Sequence, residues 1–219
     1  MPASLESANI GAIAVGVLLT LLAMSVASVA ISIDRAWALR RAIGDSRHFA
    51  NAVHPLIRKG DWIRARGAAA DWQARRAPLA QVMAAGLAEW SAWSREDDDR
   101  ALDAAREAAA FAAEMSLAEM RRGLSVLATI GSTAPFVGLL GTTFGIIHAF
   151  AAIGITGSAA MGAISAGISE ALVTTAFGLF VAIPAVWAYN GFLGRLEILR
   201  VELDRGRFIL IEQLARRAS

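Results

Sequence analysis

GLSVLATIGSTAPFVGLLGTTFGIIHAFAAIGITGSAAMGAISAGISEALVTTAFGLFVAIPAVWAYNGFLG, residues 123–194, carries one formally charged side chain, Glu170, and one histidine, His148. The remainder is dominated by Leu, Ile, Val, Ala, Phe, Gly and Thr. That length accommodates two membrane crossings of about 20 residues each. A short turn around Gly154-Ile-Thr-Gly-Ser158 would join them. A lone carboxylate in such surroundings is costly, at about 2.5 to 3.5 kcal/mol for an acidic residue at a helix centre on insertion scales. A chain that only had to span the bilayer has no reason to carry it. Glu170 is therefore the first candidate for function.

Outward from this stretch, Ile10 to Ile33 is a second uncharged run, long enough for one crossing. Its Ala27-Ser-Val-Ala30 end resembles a signal-peptidase site. However, residues 1–9 lack Lys and Arg, and the run exceeds a typical signal h-region, which favours a retained first span. Basic residues flank the spans on one side only. Arg35, Arg40 and Arg41 follow the first, Arg121 and Arg122 precede the second, and Arg195, Arg200, Arg205, Arg207, Arg216 and Arg217 follow the third. The positive-inside rule then sets the topology. Expected are a periplasmic N-terminus (1–9), a first transmembrane helix (10–33), a cytoplasmic helical region (34–122) and a second transmembrane helix (123–153). A short periplasmic turn (154–167), a third transmembrane helix (168–194) and a cytoplasmic C-terminal helix (195–219) complete the chain. The fold class is an all-α membrane protein of three transmembrane helices with long helical cytoplasmic extensions, N-terminus outside and C-terminus inside.

Composition narrows the function. Basic residues outnumber acidic ones by 21 to 19, but the arginines sit beside spans, where topology explains them better than nucleic acid does. With no cysteine, disulfides, zinc–thiolate sites and thiol catalysis are excluded; three scattered histidines, His48, His54 and His148, do not suggest a metal site. Paired carboxylates, a nucleophile–base set and a phosphate loop are missing, so the reading is not an enzyme and calls for no cofactor.

The polar region reads as helical, with Leu79, Val82, Met83, Leu87, Trp90 and Trp93 on one face. Breaks are expected at His54-Pro55, near Gly60-Asp61 and at Pro78. Asp97-Asp98-Asp99 can cap a further helix, Ala-rich from Ala101 and continuous into the second span. Leu196, Leu199, Leu203, Leu210 and Leu214 make the tail an amphipathic extension of the third span.

Within the membrane, Ala134, Gly138 and Thr142 share one helical stripe and Gly141, Gly145 and Ala149 another; Gly167, Ala171 and Thr175, and Thr174, Gly178 and Ala182, repeat the habit. Small residues at this spacing let helices approach closely in lipid, and that is the reading for most of them. Pro135 and Pro184 free the carbonyls of Gly131 and Phe180. Thr142 and Thr175 invite more. The two spans are antiparallel, so Thr142 can come level with Glu170, Thr174 and Thr175. Either the threonines bond back to their own helices, or with Glu170 they line an ion pathway, the reading favoured here. Glu170 itself has three readings: a residue at the outer lipid interface, a neutral hydrogen-bonding group, or a proton-exchange site, which a carboxylate kept from water invites. Thr174 and His148 are secondary pathway candidates, with His148 better suited to the outer interface. One acidic station does not make a path across a bilayer. Copies must assemble or a partner must add a carboxylate, and both are expected.

Leu127-Ala-Thr-Ile-Gly-Ser-Thr-Ala-Pro-Phe-Val-Gly-Leu-Leu-Gly-Thr142, continuing to Phe150, resembles the second-span signature of the MotA/TolQ/ExbB proton channel family. Gly167-Ile-Ser-Glu-Ala-Leu-Val-Thr-Thr-Ala-Phe-Gly-Leu-Phe-Val-Ala-Ile-Pro-Ala-Val-Trp-Ala-Tyr-Asn190 resembles its third. The segment order is that of ExbB and TolQ rather than MotA, and Ala134-Pro-Phe-Val-Gly-Leu139 is nearer to ExbB. The resemblance implies a pentamer around a dimer of an ExbD/TolR-type single-span partner whose transmembrane Asp carries protons. It also implies pore-lining roles for Glu170, Thr142 and Thr175 and identifies Pro184 with the motif proline. The implied output is proton-motive-force-driven work on the cell envelope from the inner membrane: TonB-dependent transport, Tol–Pal maintenance or gliding, with a TonB-like or other envelope protein as a further partner. Thr143-Phe144 stands where Val-Trp is commoner and Thr174 where Ala is usual, which leaves proton against sodium open. The rival from another class is a passive scaffold in which Glu170 only anchors packing.

Overall fold

The computed structural model describes residues 3–74, 77–93, 97–151 and 161–218. Among them every regular element is an α-helix: α1 (Ala3–Arg58), α2 (Trp62–Ala74), α3 (Pro78–Trp93), α4 (Asp98–Arg121), α5 (Leu124–Ala151) and α6 (Met161–Ala218). Three stretches are long and apolar enough to cross a membrane, within Val15–Arg58, Asp98–Phe150 and Ile164–Ala218. The chain divides into two compact units. One comprises residues 1–34 and 123–191, the other 35–122 and 192–219, so α1 and α6 each contribute to both.

In the first unit, parts of α1, α5 and α6 bury Val17, Leu21, Ile130, Ala134, Val181, Ala182 and Ala185 against one another, with Met24, Ala27 and Val137 alongside. Its outer faces keep large apolar side chains exposed, among them Leu19, Val26, Phe136, Leu172, Phe180 and Trp187. That is the inverse of a soluble surface and suits lipid or other helices.

The second unit is built on small-residue packing. Ala101, Ala105, Ala109 and Ala113 recur every four residues on α4 and are buried. A methyl at Gly86 of α3 would lie 3.2 Å from Ala105 O and 3.3 Å from Ala109 Cβ, which shows how closely the two helices pack. Leu79, Val82, Met83, Leu87 and Trp90 fill the α3 side. The tail leucines Leu196, Leu199, Leu203, Leu210 and Leu214 are all buried. Asp97 Oδ1 caps α4, accepting from Asp99 N at 3.0 Å and Arg100 N at 3.1 Å. Asp97→Ala should cost about 1 kcal/mol and lower the unfolding midpoint of the purified chain by circular dichroism, while Asp97→Asn holds close to wild type.

Three features differ from sequence expectation. Pro55 does not break α1, which continues to Arg58. A proline in the last turn forfeits one hydrogen bond, to the carbonyl of exposed Asn51, where water can substitute. The helix stops at the break expected near Gly60-Asp61, where Gly60 has a φ of +73°, the left-handed geometry of a C-terminal cap. Second, the α4 helix does not continue into α5. Arg122 N bonds back to Glu119 O and Gly123 takes a φ of +80°, closing one helix before the next begins. Third, α6 begins at Met161, so residues 161–167, assigned to the turn, are helical. At the other end, α1 already begins at Ala3. The turn centre at Gly154–Ser158 lies outside the described residues. Pro78 behaves as expected: it opens α3, where its missing N–H costs nothing. Pro135 and Pro184 sit inside α5 and α6.

Candidate ion pathway

The site is assembled by a glycine crossing. A Cβ on Gly138 of α5 would lie 2.8 Å from Thr174 O and 3.2 Å from Gly178 Cα; one on Gly178 of α6 would lie 2.6 Å from Ala134 O. The two backbones are therefore in direct contact, a separation that side chains larger than hydrogen would prevent. Neighbouring contacts extend the seam, Gly145 against Ala171 and Gly167 against Ala149. On a third side, Val17 of α1 packs where a Gly141 side chain would be.

This closeness brings three hydroxyls together. Thr142 Oγ1 lies 3.3 Å from Gly138 O on its own helix and 3.1 Å from Ala171 O on α6. It also hydrogen-bonds Thr175 Oγ1 and lies 3.5 Å from Thr174 Oγ1. Thr174 Oγ1 lies 2.7 Å from Ala171 O and 3.2 Å from Gly138 O. Each hydroxyl has one proton to give and can accept others. Three donors thus face two carbonyls and one another, and more than one pattern satisfies them. Thr142 and Thr174 are buried, at 9% and 3% exposure. Back-bonding to the i−4 carbonyl exists for Thr142 but is shared with α6, so the intrahelical explanation covers only part of the cluster. Thr143, by contrast, bonds Leu139 O of its own turn at 3.0 Å.

The structure brings Thr142, Thr174 and Thr175 together and leaves Glu170 and His148 apart from them. Glu170 sits one helical turn before Thr174 on α6, exposed, with no hydrogen bond or ion pair among the described residues. Exposed Leu172 and Val173 adjoin it. His148 is half-buried in the last turn of α5. Side-chain pattern missed the carbonyls of Gly138 and Ala171 and the part played by Val17. A backbone acceptor leaves no mark in sequence, and Val17 is one valine among many. Chemically, the cluster is a hydroxyl-rich seam that can pass hydrogen bonds between α5 and α6 without charge. A titratable group stands beside it on an apolar face.

Residues 74–205 match the profile of the MotA/TolQ/ExbB proton channel family. The Tol-Pal system protein TolQ of Pseudomonas aeruginosa is 35% identical over 186 residues, covering 84% of this chain and 79% of that protein. The biopolymer transport protein ExbB of Neisseria meningitidis serogroup A is 37% identical over 197 residues, 87% and 86% of the two chains. A shorter stretch of 74 residues, 34% of this chain and 29% of the other, is 57% identical to ExbB of Xanthomonas campestris pv. campestris. Relatives of both names match at similar identity over most of the chain, so the ExbB-like wording near Pro135 does not separate them. With a profile match across more than half its length and three apolar helices, this multi-pass membrane protein belongs to the MotA/TolQ/ExbB proton channel family.

Proposed function

We propose that the chain is the channel-forming subunit of an inner-membrane motor that draws on the proton-motive force to energise a cell-envelope process. The ExbB-like role, driving TonB-dependent outer-membrane transport, is the first choice, and the TolQ-like or gliding role the second. The observation that carries it is the Thr142–Thr174–Thr175 cluster one helical turn from Glu170, which is exposed on an apolar face with no hydrogen bond or ion pair among the described residues. A carboxylate there is sustained only by something outside this chain. Copies of the chain, as a pentamer, enclose it, and a single-span partner of ExbD/TolR type brings the second acidic station. Lipid covers the remaining apolar surface. The N-terminus and the 154–167 turn face the periplasm, and the arginine-flanked residues 34–122 and 195–219 face the cytoplasm. Glu170, Thr142 and Thr175 line the path, Thr174 supports it, and His148 lies towards its outer end. A unit charge crossing a 100 mV potential releases about 2.3 kcal/mol, the quantum available for each step of work.

The test is reconstitution. The chain in proteoliposomes, alone and with a single-span protein bearing a transmembrane Asp, is exposed to a potassium-diffusion potential while internal pH is followed. Proton uptake with the partner and none without it is expected. Appreciable uptake from the chain alone would make it a self-sufficient channel and remove the motor reading.

A further inference from the structure

The second unit holds a polar cavity that the ion pathway does not use. Its volume is about 310 Å³, lined by Ser46, Arg47, Asn51 and His54 of α1, Leu79 of α3, and Glu202 and Arg205 of α6. Arg47, Asn51 and His54 recur at four- and three-residue steps and so share one face. Gly206 lets α3 approach, since a side chain there would meet that of Leu79. Ser46, almost fully buried, accepts from Leu79 N at 3.4 Å and holds α1 to α3.

The lining is incompletely satisfied. Arg47 Nε donates to Glu202 Oε1 at 2.8 Å, yet Glu202 Oε2 and His54 Nε2 are buried with no hydrogen-bond partner among the described residues. Arg205 has no ion pair or hydrogen bond among the described residues, although it stands close enough to act electrostatically on His54. Burial first, and the charge of Arg205 second, hold His54 below the usual histidine range, so it faces the cavity as neutral imidazole. Two arginines against one glutamate leave a surplus positive charge. Buried polar groups without partners are rare, and two around one polar cavity indicate an occupant.

We infer that this cavity binds a phosphate group in its protonated form, as inorganic phosphate or a small phosphate monoester. The chemistry of the lining selects it. Surplus guanidinium N–H groups call for an anion with several acceptor oxygens. The free Oε2 of Glu202 can only accept, so the same anion must also bring a donor. Sulfate and simple carboxylates are acceptors alone at neutral pH and would set their oxygens against Glu202. Both neutral-pH forms of phosphate keep a P–O–H that can donate to Glu202 Oε2 or His54 Nε2 while the other oxygens face Arg47 and Arg205. The volume equals that of roughly ten waters at about 30 Å³ each, enough for the ion with part of its hydration or a short ester tail. The inference is independent of the ion pathway, since every lining residue belongs to the second unit.

The experiment is calorimetric titration of the full chain, purified in detergent and phosphate-free buffer, with inorganic phosphate and with sulfate. Phosphate should bind at least about tenfold more tightly than sulfate, because a site with an acceptor waiting rejects a ligand without the donor. Arg205→Gln, at an exposed position, should weaken phosphate about tenfold through loss of one charged contact. Glu202→Gln, which supplies an N–H in place of the carboxylate, should bring sulfate to within about threefold of phosphate. Unaltered affinity in phosphatidylcholine nanodiscs, and in nanodiscs containing phosphatidic acid, marks a free ion as the occupant; competition by phosphatidic acid marks a lipid phosphomonoester. Absence of phosphate binding at millimolar concentration, equal binding of sulfate by the wild type, or undiminished binding by Arg205→Gln would each overturn the assignment and leave the cavity to water.

Discussion

On the proposed function, Glu170→Gln is expected to leave the purified assembly the same size and still bound to the proposed single-span partner, yet to reduce proton-driven work by about 100-fold or more. The figure is the usual scale for removing a positioned proton carrier. Glutamine keeps the length and hydrogen-bonding reach of the side chain and loses only the exchangeable charge. Nothing in the chain itself depends on the carboxylate, because Glu170 is exposed and has no hydrogen bond or ion pair among the described residues. Removing an acid from an apolar helix face should also ease insertion, so protein amounts stay level or rise. Glu170→Asp, one methylene shorter, should retain partial activity. Co-purification with the partner and outer-membrane uptake in cells read the two properties separately. Retained uptake in Glu170→Gln, or loss of the complex with uptake lost only in consequence, would support the passive scaffold.

How much of this was legible beforehand follows from what each feature leaves in sequence. The spans were legible because lipid admits no unsatisfied backbone, so a crossing helix needs a long uncharged run. The packed helices of the second unit were legible through period alone: Leu79 to Trp90 and Leu196 to Leu214 fall on single faces, and the structure buries them. Thr142 meeting Thr174 and Thr175 followed from two antiparallel stripes of small residues. Helix ends were less legible. Pro55 reads as a breaker, but a proline near a helix terminus forfeits little, and of the two breaks expected there only the one near Gly60-Asp61 forms. Gly123 reads as one more small residue in an apolar run, and only its positive φ reveals a cap.

The polar cavity was invisible for a different reason. Arg47 and His54 lie about 150 residues from Glu202 and Arg205, and each pair, read alone, is indistinguishable from solvated helix surface. Only packing of α1 against α6 in the second unit joins them, as the Arg47–Glu202 ion pair records. The surroundings of Glu170 were out of reach for yet another reason. On this chain it is exposed, so whatever lies against it is not part of this chain, and no pattern within one sequence encodes it.

The second large effect should come from Gly178→Ala, a single methyl. Its Cβ would fall 2.6 Å from Ala134 O and 3.1 Å from Gly138 Cα, both backbone atoms that cannot rotate away. The helices must separate, at a cost of about 1 to 3 kcal/mol for an overpacked core. Separation also stretches the cross-helix bonds, Thr142 to Ala171 O at 3.1 Å and Thr174 to Gly138 O at 3.2 Å. Stability and proton transfer should therefore fall together. Gly131→Ala meets Val186 Cγ2 at 2.6 Å, the tip of a side chain, and should be milder because valine can turn or shift. Gly16→Ala and Gly191→Ala meet nothing within 4 Å; helix propensity alone should make them neutral or stabilising by up to about 1 kcal/mol. Thermal unfolding of the four variants in one detergent ranks them, with Gly178→Ala lowest and the two open sites at or above wild type. If Gly178→Ala melted with Gly191→Ala, backbone contact at the crossing would not govern the seam, and the hydroxyl cluster would need another explanation for its closeness.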